Sequence, residues 1–179
     1  GMALALVHGD EVFLGSAGGN SLYALSRQTG ALIHEYQAAA PVFSAPVFWE
    51  NAVFFSDSAG YTYRFEHGAN SPTWTHFSGV PINSTPTVSE GQILVATVED
   101  LVFSISGRTG ETTWRYQHPP DATRESELTL FGAPQPTVVG NSVLFGFSDG
   151  NLVQLNRTTG EFEWQRQVGQ GRYPDLIAT

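Results

Sequence analysis

The side chains with chemistry to offer are five histidines (His8, His34, His67, His76 and His118), 17 acidic residues and a scatter of serines. Their spacing offers little. No two histidines stand at the i, i+4 separation that sets a zinc pair on one helix face, and His67 and His76 flank a turn, where solvation is the simpler reading. The carboxylate pairs Glu99-Asp100 and Glu125/Glu127 could hold a cation or share a proton, but acidic turns explain them more economically. A nucleophilic serine needs a strand-to-helix turn to expose it, and no helix-period stretch of useful length exists to supply one. Gly18-Gly19 lacks a following helix for the same reason and is a hairpin turn, not a phosphate cradle. The absence of Cys removes thiolate nucleophiles, disulfides and Cys-based metal sites. The expectation is a protein with no catalytic residues, no metal site and no cofactor.

Composition narrows the class further. Among 179 residues only 14% are charged while 12% are aromatic, with 19 Gly and 10 Pro, the profile of short strands joined by tight turns. The net charge of −9, with no run of Lys or Arg, argues against nucleic acid as a partner. No apolar run approaches the roughly 18 residues of a membrane span. Gly1 ahead of Met2 reads as a tag remnant, so a leader or lipid anchor would lie outside this sequence.

The elements come as a repeat. Thr109-Gly110 is followed by Trp114 and Thr159-Gly160 by Trp164; Thr29-Gly30 leads in the same way to His34, and the degenerate Ala69-Asn70 to Trp74. The four end positions are 40, 40 and 50 residues apart. Upstream, Val12-Phe13-Leu14, Ala52-Val53-Phe54, Gln92-Ile93-Leu94 and Ser142-Val143-Leu144 align without gaps, and the ten extra residues fall between Trp114 and Pro136. Each copy reads as four strands; in the second these are 46–49, 52–56, 61–65 and 73–77. A 40-residue, four-strand period is that of a propeller blade. We therefore expect an all-β fold, a β-propeller of four-stranded antiparallel blades spanning roughly 3–37, 42–78, 82–118 and 133–168, with an insertion at 118–132 in one segment running 3–179. A β-sandwich is the rival, disfavoured by the regular period. Gly30, Gly110 and Gly160 are turn residues that supply positive φ, and Trp74, Trp114 and Trp164 should pack between neighbouring blades. His34 stands as a hydrogen-bonded substitute for the Trp.

The segment Asp149-Gly-Asn-Leu-Val-Gln-Leu-Asn-Arg-Thr-Thr-Gly-Glu-Phe-Glu-Trp164 resembles the blade motif of pyrroloquinoline-quinone-type propeller repeats, and all four copies fit it. That superfamily holds both quinone-dependent alcohol dehydrogenases and BamB-type lipoproteins of outer-membrane β-barrel assembly. The dehydrogenases seat their cofactor against a vicinal disulfide and a calcium ion, for which this chain has neither Cys nor a matching acidic cluster. Two loops are similar to the BamB type. Leu128-Thr129-Leu130-Phe131-Gly132 resembles its Leu-x-Leu-Arg-Gly partner loop, with Phe131 in place of Arg. Asp175-Leu176-Ile177 resembles its Asp-Val-Asp loop, with Ile177 in place of the second Asp.

The resemblance implies a non-enzymatic envelope scaffold, periplasmic and outer-membrane-associated, that binds a protein partner such as a β-barrel assembly protein through Leu128, Leu130, Phe131, Asp175 and Ile177. In an up-and-down blade, these inter-blade links emerge on the same face as the second-to-third-strand turns. Asp57, Glu99, Asp100 and Asp149 should then rim an apolar spot. The competing reading folds the leucines back as local core. Alternatives of another class are a quinone-dependent oxidoreductase, or a carbohydrate-binding propeller using Trp49, Tyr61 and Tyr173. Four blades are half of the eight in the full-length propeller, and the chain stops where a further blade's Pro would follow Ala178-Thr179. We expect two chains to associate end to end as a homodimer that completes an eight-bladed ring.

Overall fold

The computed structural model describes residues 5–119 and 135–168. Sixteen strands form four separate four-stranded sheets, each strictly up-and-down and antiparallel. The first holds β1 (Ala5–His8), β2 (Glu11–Gly15), β3 (Ser21–Ser26) and β4 (Leu32–Gln37). The second holds β5 (Val47–Trp49), β6 (Ala52–Ser56), β7 (Tyr61–Glu66) and β8 (Trp74–Phe77). The third holds β9 (Thr87–Ser89), β10 (Gln92–Ala96), β11 (Leu101–Ser106) and β12 (Thr112–Gln117), and the fourth β13 (Thr137–Val139), β14 (Ser142–Gly146), β15 (Asn151–Asn156) and β16 (Phe162–Gln167). No helix among the described residues is long and apolar enough to cross a membrane.

Successive sheets stack face on face, with their first strands side by side: β5 lies against β9 and β9 against β13. Hydrogen bonds from Ala45 N to Thr85 Oγ1 (3.2 Å) and from Thr87 Oγ1 to the Pro136 carbonyl (2.7 Å) tie this inner row together. A middle strand covered on both faces must be apolar throughout. Hence β6 (AVFFS) is buried at every residue, and so are five of the six residues of β11. The core is accordingly three inter-sheet layers: Phe13, Leu22 and Tyr36 against Val53, Phe55 and Phe65; Phe54 and Ile82 against Ile93, Val95 and Phe103; Leu94, Val102 and Trp114 against Val143, Phe145 and Val153.

Each hairpin between third and fourth strands explains its Thr-Gly pair. Ser26, Ser106 and Asn156 side chains accept from the Thr29, Thr109 and Thr159 N–H groups, and the glycine closes the turn with φ of 71°, 78° and 74°. The three hairpins shift register at Ala24/Leu25, Ser104/Ile105 and Gln154/Leu155. The second sheet, with Ala69-Asn70 there, pairs β7 with β8 without a shift.

The ungapped alignment of the first copy needs correction. Glu11 pairs with Ser26 as Ala52 pairs with Glu66, so Phe13, not Leu14, is the counterpart of Phe54. The cause is the β2–β3 turn, which has five residues (16–20) where the second sheet has four (57–60). One residue of slip exchanges the faces of a strand, and Phe13 is fully buried against the second sheet while Leu14 is only half-buried.

Candidate functional site

Two groups of polar contacts join the sheets: one at the hairpin end, one at the turn face. At the hairpin end, Trp74 on β8 lies on the third sheet's hairpin. Its Nε1 donates to the Gly107 carbonyl (3.0 Å), and a Cβ added at Gly110 would sit 2.7 Å from its Cδ2. Trp114 on β12 repeats this on the fourth sheet, donating to the Arg157 carbonyl (2.8 Å), with a Gly160 Cβ at 2.6 Å. His34 on β4 makes the shorter version, its Nε2 donating to the Ala69 carbonyl (2.8 Å) beside Asn70. Both bicyclic indoles lie on a glycine; where the next hairpin carries Ala69-Asn70, the smaller imidazole stands in the indole's place. Trp164 on β16 is half-buried.

Trp49 also belongs to a seam, since its indole lies on Gly91 and Gly107 with the Arg108 guanidinium 5.0 Å from the ring centre. Arg108 is in turn paired with Glu50 (2.7 Å). Trp49 therefore does not offer the free platform a sugar would need. Tyr61 packs at a tilt of 31° against Phe77, 4.6 Å between ring centres, and Tyr173 lies outside the described residues.

At the turn face Asp57, Asp100 and Asp149 turn toward protein partners, contrary to the expected acidic rim, whereas Glu99 is exposed as that rim requires. Asp57 is fully buried. It accepts from Ala40 N (3.1 Å), Ala59 N (3.0 Å), Tyr61 N (3.0 Å) and Tyr63 Oη (2.7 Å), so it pins the link between the first two sheets. Burial, and then donation to that carboxylate, push the Tyr63 hydroxyl far above its usual pKa. Asp100 reaches across to the fourth sheet, accepting from Ser148 N (3.0 Å) and Ser148 Oγ. It holds a left-handed φ of 57° where the second and fourth sheets have Gly60 and Gly150. That conformation costs a non-glycine residue about 1 kcal/mol, and the two bonds to Ser148 offset it.

Asp149 accepts from His118 Nε2 (2.8 Å), Asn151 N (2.9 Å) and Asn151 Nδ2 (2.6 Å). Burial alone would raise its pKa; the bonds from Asn151 and His118 and the His118 charge outweigh it and hold the carboxyl below its usual range. His118 is buried and stacked on Phe147 at 4.3 Å, and its Nδ1 is enclosed without a partner. An enclosed nitrogen with no acceptor favours the tautomer that carries its proton on Nε2. Turns cross-braced by carboxylates are short, and a charged residue in a turn gives no sequence sign of which way it points.

Gly146-Phe147-Ser148-Asp149-Gly150, a Gly-x-Ser-x-Gly string the sequence reading passed over, runs from β14 through a turn into β15. Ser148 Oγ bonds Asp100, while His118 Nε2 is taken up by Asp149 and its Nδ1 is enclosed. His67 pairs with Glu11 (2.6 Å), His8 stacks on Phe48 at 3.9 Å, and His76 bonds Thr112 (2.8 Å). Among the described residues no group of three His, Cys, Asp or Glu could hold a metal ion. The cleft between the first strands, about 450 Å³, is lined by apolar residues such as Leu6, Val47 and Phe48 with Thr85 and Gln135, and, among the described residues, by no carboxylate. That donor set does not fit a calcium-bound quinone. Leu128, Leu130, Phe131, Asp175 and Ile177, with Glu125 and Glu127, lie outside the described residues.

Four stacked, up-and-down sheets, joined by one histidine seam and two indole-on-glycine seams, define a β-propeller segment built of pyrroloquinoline-quinone-type blades. The family described as "Outer membrane protein assembly factor BamB" matches residues 1–81 and 63–177, and the chain belongs to it. It is similar to the outer membrane protein assembly factor BamB of Burkholderia pseudomallei, 38% identical over 88 residues, covering 49% of this chain and 22% of that protein. It is also similar to the quinoprotein ethanol dehydrogenase of Pseudomonas aeruginosa, 29% identical over 154 residues, covering 73% of this chain and 24% of the relative. The crystal structure of BamB from Moraxella catarrhalis superposes with a TM-score of 0.71 at 21% identity, over 90% of this chain and 47% of that one. The chain thus spans less than a quarter of these two relatives and about half of the solved propeller.

Proposed function

We propose that the chain is a non-enzymatic, protein-binding scaffold of the Gram-negative envelope, acting at the periplasmic side of the outer membrane in β-barrel assembly. The family match over nearly the whole chain carries this reading. The carboxylate-free central cleft supports it against the dehydrogenase branch, whose relatives match at comparable identity. The partner is a β-barrel assembly protein, gripped by the enlarged 118–132 connector through Leu128, Leu130 and Phe131 and by Asp175 and Ile177 one blade on. The mechanism is burial of apolar side chains on a rigid support, with no bond made or broken.

Replacing Leu128 and Leu130 together by Glu should raise the Kd for the periplasmic domain of such a partner at least a hundredfold, measured calorimetrically, with the thermal midpoint shifted by no more than about 2 °C. A collapsed melt instead would show those leucines to be core. The dehydrogenase reading has its own signature: pyrroloquinoline quinone plus calcium would raise the midpoint. The homodimer expected from the sequence stays part of this proposal, to be checked by sedimentation velocity on the chain.

A further inference from the structure

At the hairpin end, the seam between the second and third sheets is filled by an indole, and the seam between the third and fourth is not. Trp49, the last residue of β5 and paired with Ala52, lies on Gly91 and Gly107. Its counterpart one sheet on is Ser89, the last residue of β9 and paired with Gln92. Gly107 has its own counterpart in Arg157. Each accepts the preceding sheet's indole N–H, and each donates its backbone N–H to the turn before it, at the Gly91 and Asn141 carbonyls. From one seam to the next, an indole has given way to a hydroxyl and a bare backbone to a guanidinium. The space between them is a pocket of about 290 Å³ lined by Ser89, Glu90, Gln92, Thr113, Arg157 and Thr158. All six lie at this internal seam, away from the outer faces of the first and fourth sheets.

The polar groups of the pocket are unequally committed. The Arg157 side chain is 15% exposed, against 66% for Arg108, which lies on the Trp49 indole. Its Nη1 donates to Ser89 Oγ (2.9 Å) and its Nη2 to Glu90 Oε2 (3.0 Å). The fork that can grip one oxyanion at two points is therefore split between two partners. Accepting from Arg157 leaves the Ser89 hydroxyl its own proton to donate. Gln92 Oε1 accepts from Ser104 Oγ (3.2 Å) and Thr113 Oγ1 (3.0 Å), which fixes the amide, while its Nε2 has no partner among the described residues. Against these donors stands one carboxylate, Glu90. Its side chain is 75% exposed, and its left-handed turn position, at φ 47°, is taken by Gly140 in the fourth sheet. A largely desolvated guanidinium thus meets a carboxylate held mostly in water. No apolar ring lines the pocket, so a sugar would have no surface to stack on. Guanidinium, amide and hydroxyl donors match a carboxylate or phosphate instead.

We propose that this pocket binds a small free anion bearing carboxylate or phosphate groups. One oxyanion sits on the Arg157 guanidinium, assisted by Gln92 Nε2 and the Ser89 hydroxyl, and Glu90 is displaced into solvent. Glu90 is then a built-in competitor that occupies the guanidinium when no ligand is bound. The site is independent of the scaffold reading above and of the residues named there for partner capture.

The test is titration of the full chain with citrate, inorganic phosphate and glucose at constant ionic strength. It is followed by the indole N–H resonance of Trp114, which donates to the Arg157 carbonyl (2.8 Å) and so reports on the site. Citrate should shift that resonance saturably with one site per chain, phosphate should shift it in the same direction more weakly, and glucose should leave it in place. Arg157→Gln, which keeps the carbonyl, should weaken citrate binding at least tenfold. Glu90→Gln should strengthen it at least threefold, because the competitor is gone. Thermal melts are the folding control; if the Arg157 variant does not fold, the sign of the Glu90 effect decides. The absence of a saturable shift up to tens of millimolar citrate overturns the proposal, as does weaker binding by Glu90→Gln or an equal response to glucose.

Discussion

Asp57 shows how much one side chain can hold in a fold of short strands. It is fully buried, yet its two oxygens take up three backbone N–H groups and a tyrosine hydroxyl. Removing the carboxylate leaves these donors enclosed and unpaired, each at a cost of about 1–3 kcal/mol less what entering water recovers. Asp57→Ala should therefore lower unfolding free energy by about 3–5 kcal/mol in urea titration; a loss under about 1 kcal/mol would mean that the turn is solvated. Asp57 was legible in the sequence as a turn residue but not as a buried one, because Asp-Ser-Ala-Gly has the same composition as any exposed turn. His34 was more transparent. Its place in the repeat identified it as a stand-in for tryptophan, and it bonds the next hairpin as the indoles do, though at the Ala69 carbonyl and not at that of His67, the counterpart of Gly107 and Arg157.

At the scale of the strand and hairpin, the recurrent glycines do two jobs that substitution can separate. Gly110 and Gly68 both sit at positive φ, 78° and 76°, but only Gly110 lies under an indole. Gly68→Ala should cost about 1 kcal/mol, the left-handed penalty alone. Gly110→Ala should cost about 2 kcal/mol more, since a Cβ 2.7 Å from the ring of Trp74 forces the indole off the hairpin. Equal losses in chemical denaturation would show that the seam yields freely. The strands themselves were readable to within about one residue in the second copy, because turn residues bracket apolar runs on a fixed period. What misled was the first copy, where an extra turn residue slid β2 against the alignment; only pairing partners reveal such a slip, since Val12-Phe13-Leu14 is apolar in either register.

For the whole molecule, stability should grade along the arc, because each sheet touches only its neighbours. In the single chain, amides of β6, β10 and β11 should exchange at least tenfold more slowly than those of β1 and β16. Protection uniform over all four sheets in the monomer would mean that the terminal faces are already covered. The fold class was fully legible from the period; the proposed partner surface rests on resemblance alone, since the residues named for it lie outside the described residues. One feature of the seams reaches further than stability. Because the indoles of Trp74 and Trp114 lie on Gly110 and Gly160 while His34 meets the hairpin that carries Ala69-Asn70, the four units carry an address: a shuffled gene that placed the third or fourth unit directly before the second should assemble less well than one that duplicates the third unit behind itself. Lengthening of such a chain by copying is thus favoured at some junctions and disfavoured at one.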